Sequence, residues 1–171
     1  MQIRAADIAD IREIQGVART SWDHTYGGTV PERVREEFVR RAYSDGSLLE
    51  RMENGPFLVA ARDGEVLGFA DLLPEADGTV ELAAIYVLPE AQGHGLGSRL
   101  LAAGVARFPT GTRFVLRVER DNQVARRFYE ARGFRAVRDL IDVYLGHEFR
   151  DVEMVLDPGP QAPGGGRFCN P

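Results

Sequence analysis

A chain of 171 residues is the size of one domain, and its 44% hydrophobic and 27% charged residues are typical of a globular protein. The net charge of -5 gives nucleic acid no general attraction, and no apolar run approaches the roughly 18 residues that cross a membrane. The lack of lysine excludes Schiff-base chemistry, the single Cys169 excludes an intrachain disulfide, and three scattered histidines give no metal site. Because its start lacks a hydrophobic leader, the chain is expected in the cytoplasm.

The first third of the chain predicts one short strand and three helices, at residues 2–4, 8–26, 30–43 and 47–54. In the first helix apolar residues recur at steps of three or four, and Asp7 or Asp10 is the predicted cap. Thr29 ahead of Pro31 predicts the N-cap and the first turn of the second helix.

The pattern then changes to that of strands, predicted at residues 57–62, 65–72, 79–87, 114–118, 134–145 and 152–156, with helices at 96–108 and 123–132. Asp63-Gly64 predicts a hairpin turn, and Gly146-His147-Glu148 is the predicted loop between the last two strands. Alternation along the strand predicted at residues 79–87 places Glu81 on one face with Ala83, Ile85 and Val87. Residues 157–171, rich in glycine and proline, are predicted to be a flexible tail.

A glycine-rich segment follows the strand that ends at Val87 and leads into the next helix. It reads Gln92-Gly93-His94-Gly95-Leu96-Gly97-Ser98. Glycines let the backbone turn its N–H groups toward a ligand, and the helix dipole adds about half a positive charge there. This predicts a phosphate site. The missing lysine excludes a Walker loop, and the preceding hairpin of strands argues against a Rossmann loop.

Two motifs in this order resemble the GNAT N-acetyltransferase superfamily. Gln92-x-x-Gly95-x-Gly97 is similar to its acetyl-CoA loop, and Asn122-x-x-Ala125-x-x-Phe128-Tyr129-x-x-x-Gly133-Phe134 to its second motif. The resemblance implies one GNAT domain over residues 1–156. Its fold is α/β of the α+β type, a mixed, mainly antiparallel sheet of about seven strands flanked by helices. The C-terminal strands and the region of Trp22 and Tyr26 are similar, less specifically, to PaiA-type spermidine/spermine N-acetyltransferases.

The resemblance implies an enzyme that transfers acetyl from acetyl-CoA to a primary amine by direct attack in a ternary complex. An acidic chain favours a small cationic amine such as a polyamine. Alternatives are acetylation of a protein N-terminus or an amino acid, and a CoA-binding regulator without turnover. Arg117 stands where some protein N-terminal acetyltransferases have a glutamate, which argues against a ribosomal-protein substrate. A homodimer is left open, and neither nucleic acid nor a membrane is implied as a partner.

Individual roles also follow from the resemblance. Tyr129 matches the position of the family's general acid, the group that protonates the leaving thiolate. A phenol has a pKa of about 10, so it stays protonated at pH 7 and can donate this proton. Glu81 matches the catalytic glutamate of one branch, with water as the alternative base. The residues implied to bind acetyl-CoA are Ile85, Tyr86, Val87, Gln92, Gly93, His94, Gly95, Leu96, Gly97, Ser98, Asn122 (with a turn-forming role as its alternative) and Phe128. The candidates for the amine are Trp22 (with core packing as its alternative), Tyr26, Asp142, Tyr144 and Glu148.

Overall fold

The computed structural model describes residues 1–158, so the predicted tail lies outside the described residues except for its first two positions. The helices in this range are α1 (Ile11–Tyr26), α2 (Glu32–Ala42), α3 (Asp45–Asn54), α4 (Leu96–Val105) and α5 (Gln123–Glu130). The strands are β1 (Gln2–Ala5), β2 (Phe57–Arg62), β3 (Glu65–Pro74), β4 (Val80–Val87), β5 (Phe114–Glu119), β6 (Arg135–Tyr144) and β7 (His147–Leu156).

The seven strands form one sheet in the order β1-β2-β3-β4-β5-β7-β6. Neighbouring strands are antiparallel except for β4 and β5, which run parallel. A core that includes Leu82, Leu100 and Met154 lies on the face covered by α4 and α5, called here the α4 face. A second core, with Trp22 and Phe69, lies on the opposite α1 face, where α1 to α3 pack. The predicted mixed, mainly antiparallel sheet between helices is therefore confirmed.

The ends of the N-terminal helices show which capping predictions were right. Asp7 caps a short 3-10 turn ahead of α1, and the Asp10 side chain accepts from the backbone of Asp7 at 2.9 Å, so both aspartates contribute. The prediction of Thr29 as a cap was wrong, because Pro31 holds the N-cap position of α2. Helix α3 begins earlier than predicted, since the Ser44 hydroxyl accepts from the backbone N–H of Ser47.

No helix among residues 1–158 is both long and apolar enough to cross a membrane.

The connection between β6 and β7 is shorter than the predicted loop. Leu145 and Gly146 both have positive φ, at 49° and 78°, which is the requirement of a two-residue type I′ turn. His147 and Glu148 are therefore strand residues, paired with Tyr144 and Val143. The last strand begins at His147 instead of Val152, and the hairpin extends over ten residues on each side.

A β-bulge in β4 changes which of its side chains share a face. Asp71 is paired with Ala84, whereas Leu72 is paired with Leu82, so Ala83 is an extra residue. Ile85 and Val87 pack on the α4 face. Glu81 lies between Val80 and Leu82, which both belong to the α4-face core, so its side chain leaves on the α1 face. The predicted grouping of Glu81 with Ile85 and Val87 was wrong, because alternation does not continue through a bulge.

Candidate active site

The sheet opens between its two parallel strands. β4 and β5 are paired only at Val80 with Phe114 and Glu81 with Val115. Beyond this point β4 stays paired with β3 as far as Val87, and β5 stays paired with β7 as far as Glu119. The two strands therefore diverge, and residues 82–87 of β4 have no strand partner on the β5 side. A free strand edge of this kind can accept an extended molecule through backbone hydrogen bonds.

The glycine-rich segment closes one end of this cleft. Gly93 and Gly95 have φ of 80° and 73°, and a Cβ atom at either would meet no neighbour within 4 Å. Gly95 is the N-cap of α4 without a side chain to cap it, and the first turn of α4 holds no acidic residue. The N–H groups of this turn therefore lack a side-chain acceptor within the helix and form an electropositive surface.

The remaining polar groups of the loop are positioned by local hydrogen bonds. The Gln92 side-chain amide donates to the carbonyl of Val87 at 3.0 Å, which ties the loop to the end of β4. His94 is exposed, and its Nδ1 lies 2.9 Å from the carbonyl oxygen of Gln92. Leu96, in contrast, is buried in the α4-face core, so only its backbone faces the loop. The loop is thus anchored on both sides.

Helix α5 packs against the start of α4 and brings an arginine that the sequence interpretation missed. A Cβ on Gly97 would lie 3.3 Å from Cε2 of Phe128, so glycine allows this close packing. The Arg132 guanidinium stacks 3.7 Å from the centre of the Phe128 ring and donates to the hydroxyl of Ser98. Its position four residues after Phe128 could have indicated this contact. Arg132 adds a positive charge next to the loop.

Tyr129 lies on the same helix and packs against the α4-face core. Its ring is 5.1 Å from the ring of Phe128 and 5.6 Å from that of Phe134. Burial raises the pKa of Tyr129, the nearby Tyr86 raises it further, and Arg132 opposes the shift. The phenol is therefore protonated throughout the neutral range, as a proton donor must be.

Asn122 caps this helix and lies beside the end of α1. Its side-chain oxygen accepts from the backbone N–H of Ala125 at 3.1 Å and caps α5. Burial raises the pKa of Tyr26, the nearby Tyr86 raises it further, and the neighbouring Asn122 side chain opposes the shift. Asn122 thus caps α5, a local structural role related to the turn that was considered as its alternative.

A cavity of about 230 Å³ lies next to Tyr26. It is lined by Tyr26, Thr29, Val30, Glu119, Asp121, His147, Glu148, Phe149 and Arg150. The charged lining residues are three carboxylates, Glu119, Asp121 and Glu148, and one guanidinium, Arg150. Arg150 donates from Nε to Oε1 of Glu148 at 2.7 Å. Burial raises the pKa of Glu119 and of Asp151, its partner across the β5–β7 ladder. The sequence interpretation missed Glu119, although its place at the end of the strand that leads to Asn122 was a usable signal.

Two of the five predicted amine-binding residues line this cavity, namely Tyr26 and Glu148. Trp22 is only 6% exposed, stacks on Phe38 at 4.3 Å, and donates its indole N–H to the Tyr86 hydroxyl at 3.0 Å. Trp22 therefore has the core-packing role that was considered as the alternative to amine binding. The remaining two lie outside the cavity lining: Tyr144 packs edge-on against Phe38, and the Asp142 side chain is 72% exposed.

Comparison with known proteins decides the family. Residues 15–134 match the family model described as acetyltransferase (GNAT) family. The chain belongs to the GNAT family. It is therefore an acetyl-CoA-dependent acetyltransferase, as the two motifs implied.

Relatives of this GNAT enzyme include proteins of the PaiA type. The spermidine N(1)-acetyltransferase of Thermoplasma acidophilum is 32% identical over 143 residues, covering 79% of this chain and 88% of its own. The crystal structure of the PaiA N-acetyltransferase from T. acidophilum with coenzyme A has a TM-score of 0.78 at 30% identity, covering 91% of this chain and 98% of that one. A mycothiol acetyltransferase of Sanguibacter keddieii is 42% identical over 99 residues, which are 53% of this chain and 31% of that protein. The weaker, PaiA-type resemblance is thus confirmed.

The geometry of this GNAT enzyme suits a long, anionic thioester. The uncapped N–H groups at the start of α4 fit a pyrophosphate, and the open space at Gly93 and Gly95 lets it approach the backbone. The free edge of β4 fits an extended arm that carries amide groups. The anion site was predicted from the glycine pattern, whereas the contact of residues 85–87 with the donor was implied by the family resemblance.

Proposed function

We propose that this GNAT enzyme acetylates the primary amine of a small, multiply charged cation such as spermidine. The observation that carries the proposal is the acidic cavity lined by Tyr26, Glu119 and Glu148, at the end of the strand β5 that borders the cleft. Transfer is direct, in a ternary complex, because the one thiol of the chain, Cys169, lies in the glycine- and proline-rich C-terminal segment. The spermidine N(1)-acetyltransferase among its relatives supports this choice of acceptor.

The donor end is formed by the loop and the β4 edge. Backbone N–H groups from Gln92 to Ser98 hold the pyrophosphate, and Arg132 and His94 add groups that attract anions. Residues 85–87 pair with the pantetheine arm, and the side chains of Asn122 and Phe128 border it. When bound, acetyl-CoA supplies an acetyl group activated as a thioester.

Tyr129 and Glu81 approach the cleft from opposite faces of the sheet. Tyr129 packs with the α4-face core and holds its proton at neutral pH, so it protonates the departing sulfur. Glu81 leaves the sheet on the α1 face at the last paired position of β4 and β5. From there it takes the proton of the incoming ammonium, directly or through a water molecule. An amine must lose this proton before it can attack.

Glu81→Gln gives a test of the base through its pH dependence. We expect kcat/KM for the amine to fall about tenfold or more at pH 6 to 7, where the amine is protonated, in the range of general-base effects. The deficit shrinks as the pH approaches the pKa of the amine, because neutral substrate needs no base. The measurement is a pH–rate profile of both proteins from thiol release. If the profiles of wild type and the variant superimpose, Glu81 is not the base and water accepts the proton of the amine.

The acceptor cavity matches a polyamine in charge and in surface. Glu119, Asp121 and Glu148 supply negative charge, and only Arg150 among the lining residues opposes it. Tyr26 and Phe149 provide aromatic walls for methylene groups and for cation–π contact, worth about 0.5 to 2 kcal/mol. A neutral-bodied amine would gain little from these groups. Specificity therefore rests on the second cationic centre of the substrate.

Glu119→Gln and Glu148→Gln are expected to raise KM for spermidine about tenfold each, which corresponds to about 1.4 kcal/mol. Their KM for an amine with a single charge should change much less. Turnover of spermidine should also weaken with rising salt, because screening shortens the range of these charges. The matched control is Glu50→Gln, an exposed carboxylate on α3, whose kinetics should equal those of wild type.

Peptides and amino acids form the competing acceptor class. A screen of thiol release should include spermidine, a peptide with a free N-terminus and several amino acids. Rapid acetylation of the peptide with no reaction of spermidine would overturn the polyamine proposal and leave the acetyltransferase assignment intact. CoA binding without turnover of any amine would instead favour the non-catalytic regulator.

A further inference from the structure

Tyr86 lies in the part of β4 where the sheet opens. It belongs to residues 82–87, which have no strand partner on the β5 side. On the β3 side it is paired with Phe69, whose ring is 5.4 Å from its own, and the ring of Tyr43 lies 6.2 Å away. Tyr43 is only 4% exposed, whereas Tyr86 stays partly exposed. Because Phe69 and Tyr43 cover one side of the Tyr86 ring, its accessible side is the one toward the cleft.

The bulge in β4 sets the direction of this side chain. Ile85 and Val87 pack on the α4 face, whereas Tyr86 packs with the α1-face core. Because Ala83 is an extra residue, Glu81 and Tyr86 share the α1 face although they stand five positions apart. Bulges next to active sites commonly re-aim a side chain in this way. The bulge therefore brings the proposed base and this phenol to the same face of the sheet.

Trp22 holds the Tyr86 hydroxyl in place. The indole N–H of Trp22 donates to this hydroxyl at 3.0 Å. Trp22 is fixed in turn, since its ring stacks on Phe38 at 4.3 Å and lies 4.7 Å from the ring of Tyr26. Tyr26 lines the acceptor cavity and packs with the same α1-face core. An aromatic row, Tyr26, Trp22 and Tyr86, thus leads from the cavity to the edge of β4.

The hydroxyl of Tyr86 keeps bonding capacity for a substrate. A phenol hydroxyl has one hydrogen and two lone pairs, and an indole N–H can only donate, so Trp22 occupies one lone pair. The second lone pair is left for another donor. Burial raises the pKa of Tyr86, and the neighbouring Tyr43 and Trp22 side chains oppose the shift. The hydroxyl is therefore neutral at pH 7, suited to hold a substrate and not to take its proton.

We propose that the Tyr86 hydroxyl holds the acceptor nitrogen, accepting one N–H and directing the nitrogen lone pair toward the thioester of acetyl-CoA. The inference rests on the proposed function, in which Glu81 first removes a proton from the ammonium. The neutral primary amine then keeps two N–H groups and one lone pair, so one bond to a fixed phenol restricts the direction of the lone pair. Trp22 is a positioning residue, because it acts on the amine through Tyr86.

Tyr86→Phe tests the proposal, since it removes the hydroxyl and keeps the ring. We expect kcat to fall about 10- to 100-fold, because a displacement of about 1 Å in a reacting group can cost up to about 100-fold. KM for acetyl-CoA should be unchanged. The pH–rate profile should keep the shape of wild type, since Tyr86 stays neutral below about pH 10, whereas the deficit of Glu81→Gln depends on pH. Wild-type kcat in the folded variant overturns the proposal.

Tyr43→Phe is the matched control, because it removes the hydroxyl of the neighbouring phenol in the same core and should keep wild-type kcat. Equal losses of kcat in the Tyr43 and Tyr86 variants would make Tyr86 a packing residue. Thermal unfolding and a CoA titration verify that each variant is folded. The kinetics apply to any primary amine that is turned over, so failure of the polyamine proposal leaves this test intact.

Trp22→Phe provides a second, independent test of the hydroxyl. It leaves the Tyr86 hydroxyl in place without its indole donor, so kcat should fall by a smaller factor than in Tyr86→Phe. The double variant should be no slower than Tyr86→Phe alone, because Trp22 has no role once the hydroxyl is absent. Losses that multiply in the double variant would overturn the role of Trp22 and Tyr86 as one unit.

Discussion

Replacement of Tyr129 by phenylalanine is expected to lower kcat about 100-fold, within the range of general acid catalysis. Phenylalanine keeps the ring that packs against Phe128 and Phe134, so the fold and the affinity for CoA should be retained. What is lost is the proton for the departing thiolate. Steady-state kinetics from thiol release, with CoA titration by calorimetry on the same preparation, give both quantities.

The pH dependence of wild type adds a second readout for Tyr129. Burial raises the pKa of its hydroxyl above the usual value of about 10, so the protonated form persists to higher pH than in a free phenol. No loss of kcat from this group is therefore expected between pH 7 and about pH 10. Tyr43→Phe is the control, because Tyr43 is a buried phenol in the α1-face core. Full activity of the Tyr129 variant, or equal losses in both, would make Tyr129 a packing residue.

The fold was predictable where local signals and global packing agree. Period-two alternation, the Asp63-Gly64 turn and the glycine loop gave the order of strands and helices, because each reflects contacts within a few residues. Errors occurred where pairing across the sheet decides the outcome. The extra residue Ala83 is identified only by the β3 register, and the β6–β7 turn depends on a positive φ at Leu145, which a non-glycine residue seldom adopts.

The candidate site was predictable in its donor half and less so in its acceptor half. The loop and α5 are continuous segments, so the family motifs assigned candidate roles to Gly95 and Tyr129 directly. The cavity is assembled from the end of α1, the end of β5 and the start of β7, which are far apart in the chain. Glu119 was therefore missed, and Trp22 was assigned to the amine although it is buried in the core.

Gly95→Asp is expected to weaken CoA binding at least tenfold, or about 1.4 kcal/mol. Gly95 stands at the N-cap of α4, where the uncapped N–H groups face the proposed pyrophosphate. A carboxylate there would place negative charge beside those groups and repel the anion. The measurement is a calorimetric titration with CoA, supported by thermal unfolding of the free variant, because a side chain at the positive φ of Gly95 strains the backbone.

Gly95→Asn separates charge from backbone strain in this experiment. Asparagine has nearly the same shape as aspartate and also tolerates the positive φ of 73° at this position. If the loop binds a pyrophosphate, the asparagine variant should keep most of the affinity that the aspartate variant loses, and the difference should diminish at high salt. Equal affinities of both variants with wild type would remove the pyrophosphate from this loop. Equal losses in both would attribute the effect to backbone geometry instead of charge.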